Sequence, residues 1–261
     1  MTFQNVTWDV VDGIGTLTVN RPRQLNALDA QTLGEIASAL EQARARPGEV
    51  RALIVTGAGD RAFVAGADIA AMSRLGTAEA HEFAALGHRT LNALEALPVV
   101  TIAAVNGFAL GGGCELAMAC DLVYASEKAR FGQPEVNLGL IPGFGGTQRL
   151  VRRVGLMRAK EMIFSGEVYD AAAARAAGLC LDVVAPEKLL EHARAKATVI
   201  ASRGPAAVAL CKRVMQQGAD QPLPQALEGE RLAFAGLFGS AEAREGMAAF
   251  LEKRPARFPS R

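Results

Sequence analysis

Little in this chain points to a charged partner. Its 28 basic and 27 acidic side chains leave a formal net charge of +1, without the basic excess of a nucleic-acid-binding protein. Histidine is scarce, at three residues. His81-Glu82 runs on into Phe83-Ala84-Ala85, so the second histidine of a zinc-protease helix is missing. The four cysteines, Cys114, Cys120, Cys180 and Cys211, form no Cys-x-x-Cys pair. That argues against a zinc or thiol-redox motif and leads us to expect buried free thiols in a reducing compartment. There is no Gly-x-Ser-x-Gly elbow and no Walker loop, which sets aside a serine hydrolase of that kind and a P-loop nucleotide site. The longest apolar stretch, Leu97 to Leu110, is broken by Pro98, Asn106 and Gly107 and is too short to span a bilayer. Met1 to Asn5 lack a basic region followed by an apolar core, so no signal peptide is expected. We therefore expect a cytoplasmic protein with neither a membrane nor a nucleic acid as partner.

What is present is apolar. Hydrophobic residues make up 50% of the 261, enough for one large domain, or one domain with an appendage. A chain of this length buries roughly three-quarters of its unfolded surface, so it needs neither disulfide nor metal to hold it. The basic residues are 22 arginines against 6 lysines. Arginine suits bidentate grips, but an Ala- and Arg-rich chain also reads as coding bias.

Val6 to Val11 and Gly15 to Val19 are rich in β-branched residues around Asp12-Gly13, which predicts a hairpin. Asp29 is a helix cap ahead of Leu33, Ile36, Leu40 and Ala43 at helical spacing, and Pro47-Gly48 stops that helix. Ala52 to Thr56 and Val99 to Val105 read as strands buried on both faces. A helix is expected from about Ala78 to Leu97. Gly57 to Ala67 and Phe131 to Gly146 read as glycine-rich loops, and Leu122 to Ala125 as a short strand. A helix follows from Thr147 to about Val154. From Lys160 the pattern is mostly helical, Arg203-Gly204-Pro205 reads as a boundary, and Ala206 to Leu251 as two or three amphipathic helices. Strands alternating with helices imply an α/β core. No fixed-period repeat is visible.

Gly57-Ala58-Gly59-Asp60-Arg61-Ala62 fits a dinucleotide fingerprint, but the helix that should open there and the acidic residue some distance on do not follow. Three other segments carry chemistry: Ala65-Gly66-Ala67-Asp68-Ile69, Gly111-Gly112-Gly113-Cys114-Glu115-Leu116, and Phe131-Gly132-Gln133-Pro134-Glu135 continuing to Gly143. The glycine triplet lies between a buried strand and an apolar helix, where free N–H groups and the helix dipole favour negative charge. It also reads as a permissive turn. Glu115 falls in the first turn of that helix and Glu135 follows Pro134 in a rigid loop. Two carboxylates on separate loop–helix junctions suit acid–base chemistry on one substrate; a first-turn acid and a solvated loop acid are the plainer readings.

These three segments, in this order and spacing, resemble the crotonase (enoyl-CoA hydratase/isomerase) family. Asn20-Arg21-Pro22 with Leu25-Asn26-Ala27-Leu28, Asn106 to Gly113, and Phe131 to Arg149 ending in Gly145-Gly146-Thr147-Gln148-Arg149 carry the likeness, which spans essentially the whole chain. The resemblance implies an α/β fold: a crotonase-like spiral of ββα units over residues 1–200, and a C-terminal helical trimerisation region over 201–261. It implies a homotrimer, or a dimer of trimers.

It also implies roles. The backbone amides of Ala67 and Gly112 would grip a thioester carbonyl oxygen, an arrangement worth about 10²–10³ in rate per donor. Glu115 and Glu135 would hold one water, Glu115 as base or orienting group and Glu135 as the group that handles the C2 proton. The Gly143 amide would help fix that water. Both glutamates together favour hydration of a 2-enoyl-CoA; an isomerase and an inactive acyl-CoA-binding scaffold are the alternatives. No metal or separate cofactor is implied, because coenzyme A is part of the substrate. Its contacts would come from Arg23, Gln24, Leu25, Ala65, Asp68 and Ile69, with Arg21, Arg23 and Lys253 as phosphate candidates. Ala70 stands where many relatives carry a lysine. Met72, Leu75, Phe83 and Leu86 would line the acyl pocket, and Phe250 and Lys253 would reach a neighbouring subunit's site.

Overall fold

The computed structural model describes residues 3–46 and 48–258. Met1 and Thr2, part of the N-terminal reading, and Pro47 of the helix stop lie outside the described residues. The chain opens with β1 (Val6–Val11) and β2 (Ile14–Val19), paired antiparallel. Asp12 and Gly13 between them have φ of 53° and 76°, the backbone that a tight two-residue hairpin turn requires. Helix α1 (Ala30–Ala45) begins at Asp29, whose carboxylate accepts from the Thr32 N–H at 2.7 Å.

From there the chain steps between two sheets. β3 (Ala52–Gly57) enters a large sheet and β4 (Ala62–Val64) a small one, followed by helices α2 (Ile69–Met72) and α3 (Thr77–Glu95). β5 (Val100–Val105) and β6 (Phe108–Leu110) repeat the step and lead into α4 (Gly112–Ala119). β7 (Leu122–Ser126) and β8 (Arg130–Gly132) repeat it again, ahead of a 3-10 turn at Pro134–Leu138 and helices α5 (Gly146–Val154) and α6 (Leu156–Ser165). β9 (Val168–Asp170), α7 (Ala171–Ala176), β10 (Asp182–Val184) and α8 (Leu189–Ala201) complete the layers. The large sheet runs β1-β2-β3-β5-β7-β10 and is parallel from β2 onward; the small one runs β4-β6-β8-β9. This is an α/β spiral of ββα steps. Its turns begin at Ala52, Val100 and Leu122, unequally spaced, which is why no fixed period shows in the sequence.

The small sheet corrects the sequence reading. Gly57 to Ala67 contains β4, and the Phe131 to Gly146 loop contains the end of β8 and the 3-10 turn. Strands of three residues are too short to show alternation. The main core cluster runs from β1 to α7, and every residue of α4 is buried. A Cβ at Gly113 would stand 1.8 Å from the Val64 carbonyl oxygen, so only glycine lets α4 press this closely on β4.

Three helices form the tail: α9 (Pro205–Gly218), α10 (Leu223–Leu237) and α11 (Ala241–Leu251). α9 is pinned to the spiral by Lys212. Its Nζ donates to Asp121 Oδ2 at 2.8 Å and to the Val99 carbonyl at 3.0 Å, and the two side chains are only 7% and 19% exposed. Breaking one side of such a pair costs about 3 kcal/mol. Lys212→Met is therefore expected to lower the urea midpoint of unfolding; an unchanged midpoint would show that the contact contributes nothing net.

Candidate active site

Glu115 lies in the first turn of the wholly buried helix α4 and is 1% exposed. A carboxylate there must be hydrogen-bonded to stay charged. The backbone N–H of Phe144 donates to its Oε1 at 2.8 Å and that of Gly146 at 2.6 Å. Burial raises its pKa and the nearby Glu135 adds to the rise, while the two amides and Arg149 oppose it; the outcome is a value of about 7. Glu115 is thus poised near neutrality, where a proton can be both held and released.

Two backbone amides stand beside it without partners among the described residues. Gly112 is the first residue of α4, where an N–H has no acceptor within the helix. Ala67 forms a parallel bridge with Leu28 in which the bonds run from Leu28 N–H to Gly66 O and from Asp68 N–H to Leu28 O. That pattern leaves the Ala67 N–H on the other side of the strand. The two segments touch: Gly66 Cα is 3.8 Å from the point where a Gly111 Cβ would stand.

Glu135 approaches the same point from the 3-10 turn. Its Oε1 lies 2.8 Å from that Gly111 Cβ position, and Gly111 has φ +49°, so glycine is needed both for the backbone and for the carboxylate's approach. Gln133 is fully buried and, with its amide nitrogen facing the carboxylate, donates to both Glu135 oxygens at 3.1 and 3.2 Å. Burial raises the Glu135 pKa. Burial also pushes the neighbouring Cys114 thiol up to about 12, which keeps it unreactive as a thiolate. Glu115, Glu135, Ala67 and Gly112 therefore converge, and Gly143 sits half-buried just ahead of Phe144 with open space beside its Cα.

The remaining candidates divide. Arg23 and Gln24 are exposed in a turn closed by Leu25 at φ +52°. Ala65, Asp68 and Ile69 lie on the strand end and helix start beside Ala67. Asp68 caps α2 through the Ala71 N–H and pairs with Arg21 at 3.1 Å. Burial opposes, but those two contacts prevail and hold its carboxyl below the usual range. Arg21 also pairs with Asp29 at 3.0 Å and donates to the Ala27 carbonyl, so its guanidinium is committed inside the chain. Met72 is half-buried, while Leu75 is exposed. Phe250, 83% exposed, and Lys253 stand on the tail outside the cluster. Cys114, Cys120 and Cys180 are buried free thiols, but Cys211 is exposed, against the expectation for all four. Among the described residues no group of three or more His, Cys, Asp or Glu could hold a metal ion, and no helix is long and apolar enough to cross a membrane.

Sequence reasoning missed Phe144. Its ring packs edge-on against Phe83, with centroids 5.3 Å apart, and occupies the space that side chains at Gly87 and Gly112 would need, 2.1 and 3.1 Å from their Cβ positions. A glycine inside α3 was the available signal: it costs roughly 0.5–1 kcal/mol there unless something must come close.

The sequence matches the Enoyl-CoA hydratase/isomerase family over residues 9–261. It is 46% identical over 261 residues to the crotonyl-CoA hydratase of Syntrophomonas wolfei subsp. wolfei, covering all of both chains. It is 45% identical over 254 residues to the short-chain-enoyl-CoA hydratase of Clostridium acetobutylicum, covering 97% of each. The crystal structure of an enoyl-CoA hydratase from Bacillus anthracis superposes with a TM-score of 0.95 at 38% identity, covering 99% of this chain and all of that one.

The raised pKa of Glu115 has a consequence for stability. The folded chain holds this proton more tightly than the unfolded one, so the contribution is full below pH 4.5 and is lost as pH rises through about 7. Urea unfolding should show wild type losing about 3 kcal/mol relative to Glu115→Gln across that window. Parallel pH curves for the two proteins would mean that Glu115 titrates normally.

Proposed function

The chain belongs to the enoyl-CoA hydratase/isomerase family, and on that premise we propose that it is a hydro-lyase adding water reversibly to trans-2-enoyl-CoA to give 3-hydroxyacyl-CoA. The observation that carries this is the presence of both glutamates at one point. Glu115 is seated on the Phe144 and Gly146 amides, and Glu135 reaches the backbone of Gly111 beside it. A proton shuttle for isomerisation needs one carboxyl group; adding water needs one group to take a proton from the water and another to supply the proton at C2.

In this reading the thioester carbonyl accepts hydrogen bonds from the Ala67 and Gly112 amides, which form an oxyanion hole. Glu115, ionised, takes a proton from a water held with help from the Gly143 amide, and the water oxygen bonds to C3. The C2–C3 π electrons shift toward the carbonyl, giving an enolate that the two amides stabilise. Glu135, protonated, delivers its proton to C2, and the electrons return from the oxygen. The raised pKa values of both carboxyls suit a pair that shares one proton, because two adjacent carboxylates resist ionising together.

Coenzyme A enters as part of the substrate, with no other cofactor. Arg23, Gln24 and Leu25 on one side and Ala65, Asp68 and Ile69 on the other border the site and serve as its handle, largely through backbone. Four cysteines without a disulfide fit a reducing, cytoplasmic setting. The exposed apolar residues Leu232, Phe234 and Phe238 near the end of α10 support self-association as a trimer or dimer of trimers, which would give Phe250 and Lys253 a neighbouring site to reach.

Crotonyl-CoA mixed with the purified protein should lose its conjugated enoyl absorbance. Glu115→Gln and Glu135→Gln should each slow this by about 10²–10⁴ without dissociating the assembly. A clean 3-enoyl to 2-enoyl conversion with no hydration would replace this reading by isomerisation. In this reading the Phe144 ring, packed on Phe83 and over Gly112, closes the acyl end of the site. Phe144→Ala should raise kcat/KM for a substrate two methylenes longer relative to crotonyl-CoA by more than about tenfold, since each methylene in a fitting pocket is worth about 1–3 kcal/mol. An unchanged ratio would place the acyl chain elsewhere.

A further inference from the structure

The amides that seat Glu115 belong to a loop that is itself held from behind. The Phe144 N–H donates to Glu115 Oε1, while the Phe144 carbonyl accepts from Arg149 Nη1 at 2.9 Å. Arg149 stands in the first turn of α5, its own N–H donating to the Gly145 carbonyl at 2.8 Å. Its other guanidinium donors reach the end of α3. Nε and Nη2 donate to Glu95 Oε2 at 3.2 and 2.8 Å, and Nη2 to Asn92 Oδ1 at 2.6 Å. The side chain is 12% exposed. Gly145, at φ +105°, lets the guanidinium lie against the loop, since a Cβ there would stand 2.4 Å from Nη1.

We propose that Arg149 is a positioning residue for the hydration reaction: it splints the Phe144–Gly146 loop to α3 and so holds the two amides on Glu115. The proposal rests on the reading of Glu115 as the base. One planar cation joins α5, the end of α3 and a loop that carries Gly143, Gly145 and Gly146. Lysine could supply the charge but not the fork. The charge matters as well. The groups facing Glu115 are Glu135 from the 3-10 turn, Cys114 on its own helix, the amides of Phe144 and Gly146, and Arg149 from α5, the cation among them. His88 of α3 approaches the same loop, 3.8 Å from the Gly145 Cβ position. Glu95 faces Arg149 from α3 and offsets part of its charge.

The test is steady-state hydration of crotonyl-CoA by wild type, Arg149→Met and Arg149→Lys between about pH 6 and 9. Loosening the loop should lower kcat of the Met variant by about 10²-fold near neutrality, with KM within threefold. The deficit should shrink as pH rises, because Glu115 regains its ionised form at higher pH. The Lys variant should recover the pH profile but only part of kcat. A kcat deficit constant across pH, or a rise in KM alone, would overturn the proposal. If the Met variant does not fold, Glu95→Gln loosens the far anchor instead and should show a smaller deficit of the same shape. A readout without turnover separates this proposal from the function it rests on: the pH window over which stability changes should move upward in Arg149→Met. A wild type that fails to hydrate sinks the proposed function, and an unmoved window sinks the splint.

Discussion

A carboxylate buried at the head of an apolar helix is the constraint from which the rest of this structure follows. Glu115 has no solvent to stabilise its charge. Two loop amides and the helix dipole must do so. That requirement fixes the loop from Gly143 to Gly146 against the start of α4. The start of α4 is in turn fixed against β4, because Gly113 admits the Val64 carbonyl where any side chain would exclude it. The small sheet then sets where β8 ends, and with it the turn that carries Glu135. Three ββα steps of the spiral thus all contribute: the first an amide at Ala67, the second an amide and a carboxylate at Gly112 and Glu115, and the third a carboxylate at Glu135.

The two carboxylates are unlike, and their surroundings account for it. Glu115 receives its donors from backbone on one oxygen and is shut away from bulk solvent. Glu135 is half-buried and faces a side-chain amide, that of Gln133. A group held by rigid backbone suits a fixed direction toward water. A group on a side-chain partner near the cleft can follow a carbon that changes geometry as it gains a proton.

Much of this was legible in the sequence. The hairpin, the Asp29 cap, the buried strands β3 and β5 and the helix opening at Gly112 each carried a strong local signal. So did the three segments that converge on the site, because their glycines and acids are required by close backbone approach rather than by distant packing. What stayed hidden was of two kinds. Strands β4, β6, β8 and β9 are three residues long and owe their existence to neighbours across the sheet. Side-chain commitments were the other: Arg21 reads as a free cation and is spent on Asp29 and Asp68, Phe144 reads as a loop residue and fills the space over Gly87, and Cys211 reads as a core thiol and faces solvent. The first two depend on partners distant in sequence, Asp68 for Arg21 and Gly87 for Phe144.

The arginine excess gains a physical sense from these partners. Arg21 bridges Asp29, Asp68 and the Ala27 carbonyl behind the Ala67 amide. Arg149 bridges Glu95, Asn92 and the Phe144 carbonyl behind Glu115. Arg153 donates to the carbonyls of Met118 and Cys120 at the far end of α4. Each guanidinium satisfies several oxygens at once, and those of Arg21 and Arg149 hold backbone and side chains together, which a planar fork with five donors can do and an ammonium on a flexible stem cannot do with the same geometry. A site built from backbone amides needs its backbone held still, and the amides themselves cannot supply that rigidity. Two of these three cations are also matched by local carboxylates, Arg21 by Asp29 and Asp68 and Arg149 by Glu95, so each clamp holds its loop without adding an uncompensated charge beside the site.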